Sequence, residues 1–395
     1  MSDVSRVSAR NFCIDILRGI AIALVLILHF HLTYRLQDGF FGDILSKDVV
    51  LAVARNGNYG VTMFFAISGF LITSTSLRRY GSLAKVRPAS FYAFRFARII
   101  PCLVAALAVI VGLGLCGLPS FINKSGGHPL SNSYFLLATV SVLTFWHNVL
   151  MEMVGYFNYC INIYWSLSVE EVFYITFPIL CLIFKRELLL ATFWSLLILL
   201  GPVYRYYHSN DELFFMYGYL ACFDAIAFGC CSAIIAKHVA MSSFWGRALQ
   251  IFAAAALIIV YLRGIAHNVV FGFTFIAAAT AVLLIGSSST GLPGILTRNR
   301  GLLTLRWLGR HSYEIYLFHI VVLACMRDLV PRDALGYYSK PLWFLAFLVL
   351  SASVAGIVAK FYSEPMNHTL REFLLRERAG VRGQVWTAGN KSELP

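Results

Sequence analysis

The first long apolar segment of the chain, FCIDILRGIAIALVLILHFHLTYR, carries ionisable residues on one face. At helical steps of three and four, that face holds Asp15, Arg18, Ile22, Val25 and His29. Arg18 and His29 are eleven residues apart, about 16 Å along a helix, so an edge position for Arg18 predicts His29 near mid-membrane. A neutral imidazole there can take a proton from a hydroxyl group, as acyl transfer to an alcohol requires. The alternative is a histidine that packs against a neighbouring helix.

Two further segments contain polar residues that could face a ligand. In YGVTMFFAISGFLITS, Ser68 is predicted at a depth close to that of His29. Ser68 and Gly69 either line a reaction site or allow two helices to approach closely, and packing is favoured. In FYAFRFARIIPCL, Arg95 and Arg98 lie one turn apart and could bind phosphate oxygens together. The alternative is anchoring at the positively charged side of a membrane, which is favoured for this pair taken alone.

The second half of the chain adds acidic and histidine candidates. In YWSLSVEEVFYITFP, Glu170 and Tyr174 share a face, and Glu170 is predicted near the outer surface. Its carboxylate would hold sugar hydroxyls or orient a base; a solvated helix start is the alternative. Asp224 in CFDAIAFG lies mid-segment, and His319 in GRHSYEIYLFH is preceded by a further candidate, Tyr313. For Asp224 and His319, a functional and a structural polar network remain equally open.

The elements that must position these residues are membrane helices. Of the 395 residues, 59% are hydrophobic and 13% charged, too few charges to cover a soluble domain. Apolar stretches of 17 to 23 residues recur, and each can cross roughly 30 Å of hydrocarbon only as a helix. The fold class predicted is therefore all-α, a polytopic membrane protein of ten helices. The predicted spans are 14–33, 57–77, 99–117, 168–184, 187–204, 214–236, 246–263, 268–286, 312–330 and 341–362.

Loop charge sets the predicted topology. The 78–98 loop contains Lys and Arg without Asp or Glu, and so does the 287–311 loop with Arg298, Arg300, Arg306 and Arg310. Such loops face the cytoplasm. They share one side only if the apolar segment 134–150 does not cross, so we expect that segment to be re-entrant or interfacial. Both termini are then cytoplasmic.

Composition also limits partners and domains. Because the basic residues occupy loops between spans, the net charge of +13 indicates membrane orientation and no nucleic-acid partner. The nine cysteines lack metal-ligand spacing, so we expect inert thiols and no metal. The predicted domains are a cytoplasmic segment at 1–13, a transmembrane domain at 14–362 and a short cytoplasmic tail at 363–395. We find no internal repeat and no matched pair of broken half-helices in the sequence, and either feature would favour a transporter.

Taken together, the motifs resemble acyltransferase family 3, the membrane O-acyltransferases of O-antigen, exopolysaccharide and Nod-factor type. The matching landmarks are FCIDILRGIAIALVLILH, GVTMFFAISGFLI, FYAFRFARIIP, YWSLSVEEVFY, FDAIAFG, LGRHSYEIYLFH and SEP. The resemblance implies a catalytic role for His29 and places Arg18 in the same Arg-x10-His signature. It assigns Arg95 and Arg98 to coenzyme A phosphates, whereas Glu170 and Asp224 match polar landmarks of less settled role.

The resemblance further implies a multi-pass protein of the bacterial inner membrane. It would move an acyl group, usually acetyl, from cytoplasmic acyl-coenzyme A to a hydroxyl of an exported carbohydrate, which could be polyprenyl-linked. We expect direct attack on the thioester, with an acyl-enzyme on Ser68 or His29 as the alternative. No SGNH-type esterase domain, which some family members carry, is expected here, so the chain either completes the transfer or uses a separate acyl-handling partner protein. A flippase for a lipid-linked sugar, or an O-acyltransferase of lipids or antibiotics, is the alternative function.

Overall fold

The structure, a computed structural model, describes residues 11–239, 241–289 and 299–374. Most of these residues are helical, and the only strands among them form a short antiparallel hairpin, Lys124–Ser125 with His128–Pro129. The all-α prediction is confirmed. Arg298 and the two terminal segments lie outside the described residues, so the predictions made for them are not addressed by the structure.

Helices of very different lengths make up the bundle. They are α1 (Phe12–Tyr34), α2 (Phe40–Leu45), α3 (Lys47–Ala54), α4 (Asn58–Tyr80), α5 (Pro88–Leu115), α6 (Ser133–Leu143), α7 (His147–Val154), α8 (Trp165–Phe184), α9 (Glu187–Tyr207), α10 (Glu212–Tyr217), α11 (Tyr219–His238), α12 (Ser243–Arg263), α13 (Gly272–Ser289), α14 (Arg300–Arg310), α15 (Ser312–Leu329) and α16 (Ser339–Val358). A π-helical turn, Ala359–Ser363, joins α16 to a last helix, α17, at 364–374.

Eight helical stretches in the described part of the chain are long and apolar enough to cross a membrane. They confirm a polytopic membrane protein. The predicted spans 268–286 and 312–330 correspond to α13 and α15, which have 18 residues each. Helix α15 carries Glu314, Arg327 and Asp328 and is therefore less apolar than those eight stretches. The count of ten crossings stays a prediction.

The segment 134–150 does not form one continuous helix. Helix α6 ends at Leu143 and α7 begins at His147, and between them Phe145 adopts a left-handed backbone conformation with φ 65°. The 11 residues of α6 extend about 16 Å, too short to cross the hydrocarbon alone. This break agrees with a segment that enters the bundle without spanning it.

Small residues allow the central helices to pack closely. Where α4 meets α11, a Cβ on Gly69 would lie 2.0 Å from the carbonyl oxygen of Ile226, and one on Gly229 would lie 1.9 Å from that of Ala66. Any larger residue would push the two backbones apart. The favoured interpretation of this segment as a packing site is therefore correct for Gly69, as expected for helices that associate in lipid.

Helix α14 packs across the start of α1 in the same way. A Cβ on Gly309 would lie 1.7 Å from the carbonyl oxygen of Asp15, and one on Gly19 would lie 2.0 Å from that of Leu305. The Asp15 carboxylate also pairs with Arg310, whose Nε lies 3.3 Å away. Helix α4 runs antiparallel to α1, because Gly60 lies against Ala21 while the later Ile67 clusters with Ile14. We call the end of the bundle with α14 the basic end and the opposite one the far end.

Candidate active site

One cavity of about 550 Å³ lies at the basic end of the bundle, a volume typical of small-molecule sites. Its walls come from α1, α4, α5, α8, α14, α15 and the stretch from Ser363 to Arg371. Seven of the eleven predicted site residues line it: Arg18, Ser68, Arg95, Arg98, Glu170, Tyr174 and Tyr313. Residues far apart in the chain are thus brought to one place, and Asp15, His29, Asp224 and His319 lie outside it.

Arginine dominates the charge of this cavity. The six arginines on its walls are Arg18, Arg79, Arg95, Arg98, Arg310 and Arg371. The Glu side chains on its walls number three, at positions 170, 314 and 364. The excess of fixed positive charge suits a polyanionic ligand, because guanidinium groups bind phosphate oxygens in pairs. Sequence reasoning missed Arg79, Arg310 and Arg371, because basic residues outside the predicted spans are also explained by their role in membrane orientation.

Arg18 is held at the edge of this cavity by α15. Its Nη2 donates to Oγ of Ser312 at 2.8 Å, so α1 and α15 are joined where both enter the bundle. Tyr313, the next residue, donates its hydroxyl to the carbonyl oxygen of Ile99 at 2.7 Å. Its ring is thereby fixed against α5. These two contacts fix the Arg18 guanidinium and the Tyr313 ring on the cavity wall.

A carboxylate and two hydroxyl groups form the polar floor of the cavity. Ser68 donates to Oε1 of Glu170 at 2.5 Å, and Tyr174 donates to the same oxygen while its hydroxyl also contacts Ser68. The Arg95 guanidinium lies 4.0 Å above the centre of the Tyr174 ring, a cation–π contact. One cluster therefore ties α4, α5 and α8 together. Ser68 faces the site, and the helix-packing role belongs to its neighbour Gly69.

The position of Glu170 differs from the prediction. We expected it near the far surface, but it shares the cavity with Arg95 at the basic end. The reason is that the segment before α8 folds into the bundle interior. Tyr164 is fully buried and donates its hydroxyl to the carbonyl oxygen of Leu317 at 3.2 Å, and Tyr316 donates to that of Ile163 at 2.6 Å. Helix α8 therefore begins inside the molecule and continues toward the basic end.

The prediction that Ser68 lies at the depth of His29 is wrong for a related reason. In the antiparallel pair of α1 and α4, Gly57 is the residue of α4 that lies against Leu24 and Leu28. Ser68 is eleven residues further toward the basic end, about 16 Å away along α4. Counting residues from the predicted ends of α1 and α4 therefore gave the wrong relative depth for His29 and Ser68.

His29 and His319 form a pair beyond the inner end of the cavity. Nδ1 of His29 lies 2.9 Å from the carbonyl oxygen of Val25, and Nδ1 of His319 lies 2.8 Å from that of Tyr316. Because a carbonyl only accepts, each Nδ1 carries the proton and each Nε2 the lone pair. Nε2 of His319 lies 3.4 Å from Nδ1 of His29, and the rings meet edge to face with centroids 4.9 Å apart.

This pairing leaves one basic nitrogen on His29 for chemistry. His319 is fully buried, whereas the His29 ring is partly exposed. His319 therefore positions His29, whose Nε2 is aimed away from the Val25 carbonyl. The pair connects to the cavity through Tyr316, which lines the cavity wall and whose backbone carbonyl accepts from His319. Sequence reasoning found both histidines but not their contact.

His29 lies in the last third of α1. Helix α1 starts at Phe12 because the side chain of Asn11 accepts from the backbone N–H of Cys13 and caps it. Arg18 is six residues into the helix, and His29 is five residues from its last residue, Tyr34. That leaves about 8 Å between His29 and the far end of α1.

Asp224 lies in a separate buried network at α9, α11 and α13. Arg205 and Asp224 are both fully buried, with Nη2 and Oδ2 2.5 Å apart, and Thr274 donates to the same oxygen at 2.8 Å. Arg205 also donates to two backbone carbonyl oxygens, those of Val270 and Ala221. These contacts compensate the buried charges, as a structural ion pair requires. The catalytic role expected for Asp224 stays a prediction, as does any role of Asp15 beyond holding α14.

Comparison with known proteins agrees with these features. The family model for the acyltransferase domain, acyltransferase family 3, matches residues 11–360. An O-acetyltransferase OatA of Staphylococcus aureus (strain NCTC 8325 / PS 47) is 22% identical over 328 residues, covering 78% of this chain and 52% of the relative. A peptidoglycan O-acetyltransferase OatA of Listeria monocytogenes is 26% identical over 292 residues, covering 68% and 45%.

A putative O-acetyltransferase of Staphylococcus aureus (strain COL) is 32% identical over 166 residues, or 40% of this chain and 26% of the relative. The chain thus spans about half the length of the first two relatives, and less of the third. No solved structure gives a significant match. Since the family match extends over the paired histidines and all but one of the cavity arginines, this chain belongs to acyltransferase family 3.

Proposed function

We propose that the chain is a membrane O-acetyltransferase that moves an acetyl group from acyl-coenzyme A to a hydroxyl group of a cell-envelope carbohydrate. The observation that carries this proposal is the six-arginine cavity at one end of the bundle, with the His29–His319 pair beyond its inner wall. The names of the relatives support O-acetylation and, for the Listeria protein, a carbohydrate acceptor.

The donor fits the basic end because its charges and the arginines are complementary. The phosphates of acyl-coenzyme A would be bound by guanidinium groups led by Arg95 and Arg98. The uncharged pantetheine arm would extend past the Ser68–Glu170–Tyr174 cluster toward Tyr316. Since charged groups are costly inside a membrane, the phosphates stay at the mouth and only the arm enters. We place this end in the cytoplasm of a bacterium and the protein in the inner membrane.

The acceptor would approach from the far end. One turn beyond His29, Thr33 bonds to the hydroxyl of Tyr159 at 2.5 Å, and Arg327 lies 5.1 Å from the centre of the Tyr159 ring. A partly exposed tyrosine beside a cation offers stacking and hydrogen bonds to a sugar. The acceptor sugar, polyprenyl-linked or polymeric, would present its hydroxyl to His29 at this point.

The chemistry is one displacement with a proton relay. His29 Nε2 takes the proton of the acceptor hydroxyl while the oxygen attacks the thioester carbonyl carbon. The carbon–sulfur bond then breaks, and the coenzyme A thiolate takes the proton back from the imidazolium. His319 holds His29 in the required tautomer throughout. Neutral histidine is restored, and the products are an O-acetyl ester and free coenzyme A.

The proposal is tested with the purified full chain in lipid nanodiscs. Acetyl-coenzyme A and a chitooligosaccharide acceptor are supplied, and both thiol release and O-acetylated product are measured. We expect Arg95→Gln and Arg98→Gln each to weaken coenzyme A binding about ten- to a hundredfold, since each loses a charge-assisted contact.

The matched control is Arg87→Gln, an exposed arginine at the start of the same helix that does not line the cavity. It should bind coenzyme A like the unaltered protein. Absence of both thiol release and product from the unaltered protein, together with unchanged coenzyme A binding in the double variant Arg95→Gln/Arg98→Gln, would refute the proposal.

A further inference from the structure

The last described helix, α17, forms part of the cavity wall. Glu364, Asn367 and Arg371 from this stretch line the cavity. They follow the π-helical turn Ala359–Ser363, a rare element that is common at functional sites. The family match ends at residue 360, so nothing in it assigns a role to these side chains.

Two arginines converge on one aromatic ring beside this helix. The Cζ atom of Arg79, from the end of α4, lies 3.9 Å from the centre of the Phe94 ring, and that of Arg371 lies 5.2 Å from the same centre. Stacking on an aromatic ring holds a guanidinium plane while leaving its edge free to bind oxygens. Phe94 therefore holds two arginines that are far apart in the chain against the same ring.

Polar atoms of α17 lack partners at this point. Among the described residues, neither Nε of Arg371 nor Oδ1 of Asn367 has a hydrogen-bond partner, although both atoms are buried. The charges that act on Arg371 are those of Arg98, Arg79 and Arg95, and all are positive. An unsatisfied buried donor among like charges is unfavourable. An anion with several oxygens would accept from Nε of Arg371 and offset the like charges, whereas Oδ1 of Asn367, itself an acceptor, would gain nothing from it.

We propose that Arg79 and Arg371 bind the phosphate monoester of the acyl-coenzyme A donor, which makes α17 part of the donor site. The inference rests on the proposed function and extends it to the recognition of one end of the donor. Arg95 and Arg98 lie further along α5 than Phe94, so the diphosphate would bind there, nearer the arm. A phosphate monoester carries up to two negative charges, which suits the two guanidinium groups that meet at Phe94.

The test compares two donors that differ by this group alone. Binding of acetyl-coenzyme A and of acetyl-dephospho-coenzyme A, which lacks the monoester and keeps the diphosphate, is measured by calorimetry on the purified full chain. For the unaltered protein we expect about ten- to a hundredfold tighter binding of acetyl-coenzyme A. In Arg371→Gln and in Arg79→Gln, that preference should fall to about threefold or less, with binding of the dephospho donor almost unchanged.

Two further variants make the result specific. Arg78→Gln removes an exposed arginine adjacent to Arg79 that does not line the cavity, and it should keep the full preference. Arg371→Lys keeps the charge but loses the planar fork, and it should restore part of the preference. Unchanged dephospho-donor binding serves as the check that each variant is folded.

The outcomes separate the two proposals. If the unaltered protein binds both donors equally, or if Arg371→Gln keeps the full preference, the assignment of α17 is refuted while the proposed function stands. If the unaltered protein binds neither donor, the proposed function itself fails. An equal loss of preference in Arg78→Gln would reduce the effect to general surface charge and would also refute the assignment.

Discussion

Replacing His29 by glutamine should abolish acetyl transfer while leaving the fold and donor binding intact. The side-chain amide of glutamine can still donate to the Val25 carbonyl oxygen, which Nδ1 of His29 contacts at 2.9 Å. It can also face His319, whose Nε2 accepts from the same position at 3.4 Å. What glutamine cannot do is accept a proton and return it. The substitution therefore separates packing from base catalysis.

The expected magnitudes of the two effects differ clearly. General-base catalysis contributes roughly 10²–10⁴-fold, or about 3–5 kcal/mol of activation free energy. A nearly volume-conserving change at a partly exposed position costs less than about 1.5 kcal/mol in the free energy of unfolding. Because the cavity arginines are untouched, the dissociation constant of coenzyme A should stay within about threefold of its original value. The loss should therefore appear in the turnover number.

The assay follows single-turnover formation of O-acetylated product, with coenzyme A binding and thermal unfolding measured on the same preparations. His31→Gln is the matched control, because His31 lies two residues further along α1 and faces a different environment. It is 4% exposed, so the control also changes a buried histidine of α1. Near-normal turnover by His29→Gln would refute the general-base assignment, and an equal loss in His31→Gln would indicate a general defect of α1.

Three other predictions concern the rest of the bundle. Glu170→Gln should weaken the hydroxyl cluster by about 1.5–3 kcal/mol of unfolding free energy, measured by thermal unfolding; no change would show that the contacts of Glu170 with Ser68 and Tyr174 do not stabilise the fold. Asp224→Asn leaves Arg205 buried without a counter-charge and should cost about 3–5 kcal/mol of stability; lost transfer with normal stability would instead support a catalytic Asp224. Cysteines introduced at Ser82 and Thr304 should react with an impermeant maleimide from the same side, and labelling from opposite sides would refute the ten-span topology.

The sequence contained enough to predict the helices and most of the site. Hydropathy identified the long helices because only a helix satisfies backbone groups in lipid, and helical spacing put Arg18 and His29 on one face. The sequence alone could not give the depth of Glu170, because that depth depends on how the segment before α8, with the buried Tyr164, folds into the bundle. Nor could it find Arg371, since a basic residue after the last span has no local signal that separates ligand binding from orientation.

The arginines that would bind the donor and the histidine that would act as the base lie at different depths of the bundle. The proposed function therefore uses both ends of the bundle. Arg18 marks the cavity wall on α1, and His29 lies eleven residues further along the same helix, about 16 Å away. A donor whose phosphates and reactive carbon were adjacent could not reach both positions at once. Acyl-coenzyme A, the proposed donor, carries its thioester at the end of a long uncharged arm, so its anionic part would remain among the arginines while the carbonyl reached His29. The proposed acceptor hydroxyl would then need to enter only about 8 Å from the far end of α1 to meet it, and neither substrate would have to bring its charges across the membrane.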